Sequence, residues 1–113
     1  MSFNNEIFFA SLSHPLRLRV VMLLTRVDEL CVCELTHALN VTQPVLSKQL
    51  AQLKNAAILT SRRQGVWIYY QINSDLPEWA ANTLTVTFNG IGLSSPYHDD
   101  YQLFQSLNQP KCC

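Results

Sequence analysis

Cys31 and Cys33 stand one residue apart in the run Glu29-Leu30-Cys31-Val32-Cys33-Glu34-Leu35. Thiolates are soft donors, so such a pair selects a thiophilic ion over a hard cation once both sulfurs are deprotonated. A helix expected to begin near Val32 favours that state, because a helix N-terminus lowers thiol pKa. Residues i and i+2 lie roughly 200° apart around an ideal α-helix, so both sulfurs cannot grip one guest while both residues are helical. Ligation therefore demands a non-helical start, and it strains the first turn of the helix that follows. For a third donor the chain offers Cys112 and Cys113 in its last residues, from the same subunit or a partner, or the harder ligand His37. The alternative for Cys31 and Cys33 is a role as small buried hydrophobes, and for the terminal pair a loose buffering of thiophiles.

The elements that must position these sulfurs are readable from periodicity. Asn4 to Leu12 carries Phe3, Ile7, Phe8 and Leu12 at helical spacing. A second helix is capped by Ser13 or His14, takes Pro15 in its first turn, and repeats Leu16, Val20, Leu23 and Leu24 until about Arg26. Val32 to Leu39 reads as a short helix ending at Asn40, a residue that tolerates the left-handed exit. Thr42 caps another from about Gln43 to Asn55 that buries Leu46, Leu50 and Leu53, so two helices meet across a tight turn. Ile58-Leu59-Thr60 and Val66 to Ile72 are then rich in β-branched and aromatic residues and read as a β-hairpin with Arg62-Arg63-Gln64-Gly65 at its tip. Helical pattern resumes from Ser74 or Asp75 through Trp79, Leu84 and Phe88. Gly90, Gly92 and Pro96 break it before Tyr101, Phe104 and Leu107. The fold class expected is mainly α with a small β-hairpin (α+β), in the order of a winged helix-turn-helix, as one domain over residues 1–113. Residues 1–12 and about 75–108 are expected to supply dimerisation helices, through Phe3, Ile7, Phe8, Trp79, Leu84, Phe88, Phe104 and Leu107, each of which has closure of its own subunit's core as the alternative, and residues 109–113 a flexible cysteine-bearing tail.

Charge points to the partner of the central segment. The 113 residues carry no formal net charge and are 14% charged overall, yet no Asp or Glu occurs from Leu35 to Ser74, where Lys48, Lys54, Arg62 and Arg63 all fall. A neutral pI thus conceals a basic island suited to a phosphate backbone. With the leucines of the reading helix turned inward, Gln43, Pro44, Ser47, Lys48 and Gln49 are expected at its front. Gln43 and Ser47 suit base edges or phosphates, and Lys48 a guanine or the backbone. Arg62, Arg63 and Gln64 at the hairpin tip suit a minor groove or phosphates. One such domain makes too few contacts for operator specificity, so a homodimer on palindromic double-stranded DNA is expected.

The start, Met-Ser-Phe-Asn-Asn-Glu, lacks a basic segment followed by an apolar one, and no run of 18 apolar residues occurs, so the reading is cytoplasmic with no membrane partner. In a reducing compartment four cysteines are expected as metal-binding, redox-active or plain thiols rather than structural disulfides. No Cys-x-x-Cys and no nucleophile–base pairing supports an enzyme, the outlying alternative being a thiol-dependent reductase.

Three motifs in order, Glu29 to Leu35, Gln43-Pro44-Val45-Leu46-Ser47-Lys48-Gln49-Leu50, and Arg63-Gln64-Gly65-Val66-Trp67-Ile68-Tyr69-Tyr70, resemble the ArsR/SmtB family of metalloregulatory repressors, the arsenical-resistance type in particular. The resemblance spans roughly residues 5 to 82. It implies a homodimeric repressor with no permanent cofactor that leaves its operator when As(III) or Sb(III) binds cysteine thiolates. The same fold sensing cadmium or lead, or thiol oxidation or persulfide, is the alternative. Two positions depart from the family pattern: Thr36 stands where a third cysteine is usual, and Val45 where many relatives are basic. The Asp and His pattern by which other relatives bind zinc between subunits is not found, so no such site is expected.

Overall fold

The computed structural model describes residues 3–107. The first helix, α1 (Asn5–Leu12), starts where the Asn4 side chain accepts from the Ile7 amide, and α2 (Pro15–Arg26) starts where His14 Nδ1 accepts from Leu16 N at 3.2 Å. A two-residue strand β1 (Leu30–Cys31) leads directly into α3 (Val32–Leu39), which leaves through Asn40 at φ 55. The reading helix α4 (Gln43–Asn55) follows, then the hairpin of β2 (Leu59–Gln64) and β3 (Trp67–Ile72), and finally α5 (Glu78–Ile91) and α6 (Tyr97–Gln105). The chain is thus mostly helical with a small antiparallel sheet, the winged helix-turn-helix order.

Two differences from the sequence reading bear on function. First, the hairpin is a three-stranded sheet of order β1-β3-β2, because Leu30 and Cys31 pair with Tyr70 and Tyr69. Two residues show no period, so β1 is invisible to pattern and exists only because β3 offers it an edge. Second, the tip is shorter than expected. Gln64 pairs with Trp67 across Gly65 and Val66, Gly65 supplying the positive φ of 63, so Arg62, Arg63 and Gln64 lie on β2 rather than in the turn. A two-residue connection with glycine at positive φ matches the strand twist better than a four-residue tip.

The core gathers Leu23, Leu35, Leu39, Leu46, Leu50 and Leu53 from α2, α3 and α4, with Leu30 of β1 and Ile58 just before β2. Phe8 and Leu84, expected at a dimer surface, are instead buried within their own subunit. Ile7, Phe9, Trp79 and Val86 remain exposed on α1 and α5, with the Phe9 and Trp79 rings stacked at 6.0 Å. Among the described residues no single helix is long and apolar enough to cross a membrane.

Candidate thiol site and nucleic-acid interface

Cys31 is the N-cap of α3, with extended backbone at φ −84 and ψ 168, and Cys33 lies in the first helical turn. The pair straddles the helix boundary, so the two sulfurs escape the opposed directions that a continuous helix would impose. Cys31 is buried and Cys33 half-buried. Glu34 caps the end: its Oε1 accepts the Cys31 N–H at 3.0 Å. This carboxyl is itself buried, and the loss of solvent raises its pKa above the ordinary value against the lowering effect of that hydrogen bond. Thr36, one turn on, donates its hydroxyl to the Cys33 carbonyl at 2.8 Å.

Both cysteines are disulfide-bonded in this structure, which corrects the expectation of reduced thiols. Cys112 and Cys113 lie outside the described residues. His37 is exposed in the last turn of α3, and among the described residues no three His, Cys, Asp or Glu side chains converge on a metal position. Cys31 and Cys33 nevertheless line, with Val32, a recess of ≈ 180 Å³ whose other walls are Gln43, Val66, Trp67 and Ile68. The cysteine pair, the first residue of α4 and the wing turn therefore share one small cavity.

On α4, Gln43, Pro44, Ser47 and Lys48 are exposed, as is Val45 between them. Gln49 is a correction. It is buried, and its Oε1 accepts from Arg17 Nη1 at 2.9 Å while Arg17 Nε donates to the Ser11 carbonyl, so it ties α4 to α2 instead of facing outward. Position 49 falls between the inward Leu46 and Leu50 rows, and the partner that draws it inward, Arg17, is 32 residues away. On the wing Arg62, Arg63 and Gln64 are exposed. Arg62 is not idle: it donates through Nε and Nη2 to the two Glu29 oxygens at 2.7 Å each and through Nη1 to Gln64 Oε1 at 2.8 Å. The contact holds the Glu29 carboxyl below its ordinary pKa and raises that of the guanidinium.

Sequence reasoning also passed over the far end of α3. Arg19 makes a paired contact with Asp100 of α6, Nε to Oδ2 at 3.0 Å and Nη2 to Oδ1 at 2.8 Å, and Nη2 also donates to the Leu39 carbonyl at 2.8 Å. Asp100 is 3% exposed. An arginine standing off the apolar stripe of α2 was the available signal, but its partner, 81 residues on, was not readable.

The same arrangement of helices and wing occurs in known proteins. The family described as "Bacterial regulatory protein, arsR family" matches residues 14–61. The arsenic resistance transcriptional regulator ArsR2 of Pseudomonas putida is 49% identical over 79 residues, 70% of this chain and 69% of that protein. Its companion ArsR1 from the same organism is 49% identical over 73 residues, 65% of this chain, and the match spans only 57% of that relative's length. Among solved structures, that of the AntR antimony-specific transcriptional repressor has a TM-score of 0.63 at 29% identity, over 75% of this chain and 74% of that one.

Proposed function

From the premise that this chain belongs to the arsR family of bacterial regulatory proteins, transcription regulators and not enzymes, we propose that it is a homodimeric repressor released from its operator when Cys31 and Cys33 capture As(III) or Sb(III). The observation that carries this reading is the shared recess: Cys31 and Cys33 on one wall, Gln43 at the start of α4 and Val66 and Trp67 of the wing on the others. The names of the relatives, arsenic resistance regulators and an antimony-specific repressor, support the inducer class.

In the reduced protein the Cys31 and Cys33 thiolates supply soft donors, and a tail cysteine, Cys112 or Cys113, supplies the third. Cys31 already lies outside the helix, so closing both thiolates on one ion pulls on the first turn of α3, and Gln43, across the same recess, shifts with it. Gln43, Pro44, Ser47 and Lys48 then lose their fit to the major groove, while Arg62, Arg63 and Gln64 lose theirs to the flanking backbone. A 100-fold loss of affinity requires about 2.7 kcal/mol of coupling, well within the reach of a strong thiolate site. Linkage makes operator DNA weaken ion capture by the same factor. The exposed apolar side chains Ile7, Phe9, Trp79 and Val86 on α1 and α5 fit the dimer surface.

Arsenite titrated under reducing conditions against a fluorescent operator complex tests this, with Cys31→Ser, Cys33→Ser and a chain truncated after Pro110. Loss of response in both serine variants is expected. Full response in the truncated chain would remove the tail as donor. The disulfide-bonded state of Cys31 and Cys33 favours a second reading, in which two thiols lose two electrons and two protons to a peroxide and the resulting disulfide releases the operator. Release by peroxide without arsenite separates the two.

A further inference from the structure

Arg62 stands on β2 and Glu29 just before β1, and these strands do not touch, since β3 runs between them. The Glu29–Arg62 contact therefore bridges the sheet. In register, Cys31 pairs with Tyr69 and Tyr69 with Arg62, so the thiol residue, the aromatic and the arginine form one row across the three strands. The Arg62 guanidinium lies over the Tyr69 ring, 4.7 Å from its centroid. All three of its nitrogens donate within the chain, two to Glu29 and one to Gln64. A phosphate oxygen would use the same paired N–H groups that the Glu29 carboxylate now occupies.

We propose that Glu29 is a latch on the wing: it competes with the DNA phosphate for Arg62, and through its place two residues before Cys31 it makes the wing part of the inducer response. This rests on the repressor reading above. When Cys31 changes position, β1 carries Glu29 with it, and the balance between the carboxylate and the phosphate changes. The wing thus receives the thiol signal through the sheet, by a route separate from the one through α3 and α4. Because Arg62 and Glu29 are 51% and 23% exposed, the competition is a modest bias rather than a lock.

The experiment is a double-variant cycle on the full-length reduced protein, using a duplex that the protein itself selects from a random library, with and without arsenite. Glu29→Gln keeps the shape but removes the charge, and is expected to tighten operator binding by about two- to fivefold, the range of an exposed ion pair. In an Arg62→Ala background the same change is expected to have no effect, and the fold-loss caused by arsenite is expected to be smaller in Glu29→Gln than in the parent. A gain that persists in the Arg62→Ala background would show simple relief of charge repulsion and overturn the latch. An unchanged arsenite response would overturn its link to the thiols. If the parent protein selects no duplex, the repressor reading falls, and the latch with it.

Discussion

The N-terminal end of α3 is held by a cysteine N-cap and one carboxylate, Cys31 and Glu34, whereas its C-terminal end is held by Asn40 in the left-handed region and by Arg19, which joins the Leu39 carbonyl to Asp100 of α6. The first set of contacts includes sulfurs whose chemistry changes with redox state and soft ions. The second is insensitive to both. A helix with one adjustable and one fixed end would pivot instead of translating, and the end proposed to move is the one that shares a recess with Gln43 of α4. On the proposed reading, stability and signalling are separable along a helix of only eight residues.

The most severe disruption of this contrast lies at the fixed end. Asp100→Ala leaves Arg19 facing a buried, empty position, and removal of one partner from such a pair is strongly destabilising. Arg19 remains 24% exposed, which softens the penalty, so we expect a loss of about 3 kcal/mol in denaturant unfolding. Operator binding at temperatures where the variant stays folded should still respond to arsenite. Loss of the response in folded Asp100→Ala protein would mean that the two ends are not separable.

Next in size is the adjustable end. Cys31→Ser or Cys33→Ser should remove the response to arsenite, a change worth about 2.7 kcal/mol if the parent responds 100-fold, with little effect on operator affinity in its absence. Fluorescence anisotropy of the operator complex reads both quantities. An intact response in Cys33→Ser would place the sensing sulfurs elsewhere.

How much of this was legible in the sequence follows the same division. The cap at His14, the αL exit at Asn40 and the inward leucines of α4 are local facts, written within a few residues of where they act, whereas Thr42 takes the N-cap position of α4 without its side chain making the expected capping bond. The Cys31 and Cys33 motif and the exposed Gln43, Ser47 and Lys48 are local in the same sense. What stayed hidden depends on pairing over long separations: β1 needs β3, Gln49 needs Arg17, Arg62 needs Glu29, and Asp100 needs Arg19. The basic island from Leu35 to Ser74 contains no acid, so nothing within it announces that Arg62 is already paired with a carboxylate 33 residues earlier.

A gentler probe at the adjustable end is Glu34→Ala. It leaves the sulfurs in place but removes the acceptor of the Cys31 N–H, a net cost of about 1 kcal/mol for a hydrogen bond at a helix start. The burial that raises the Glu34 pKa offsets part of that cost, because the alanine variant no longer desolvates a carboxyl group. If α3 opens at this turn during sensing, Glu34→Ala should also lower the arsenite concentration needed for half-release, since part of the opening has been done in advance. A variant that is destabilised without any shift in that midpoint would put the moving segment outside the first turn of α3.

The smallest expected change tests the fixed end from its backbone. Asn40 sits at φ 55 and ψ 50, a region that asparagine tolerates and glycine enters without penalty. Asn40→Gly should thus alter stability by no more than about a few tenths of a kcal/mol, the relief at the helix exit being set against the greater freedom of the unfolded chain. Asn40→Ala, which keeps a Cβ but loses the short polar side chain, should cost about 1 kcal/mol. Neither should move the arsenite midpoint, because Arg19 still grips the Leu39 carbonyl, and that carbonyl belongs to the backbone rather than to the substituted side chain. A shifted midpoint in Asn40→Gly, at unchanged stability, would show that the exit of α3 flexes during sensing, and the C-terminal end of the helix would then belong to the hinge.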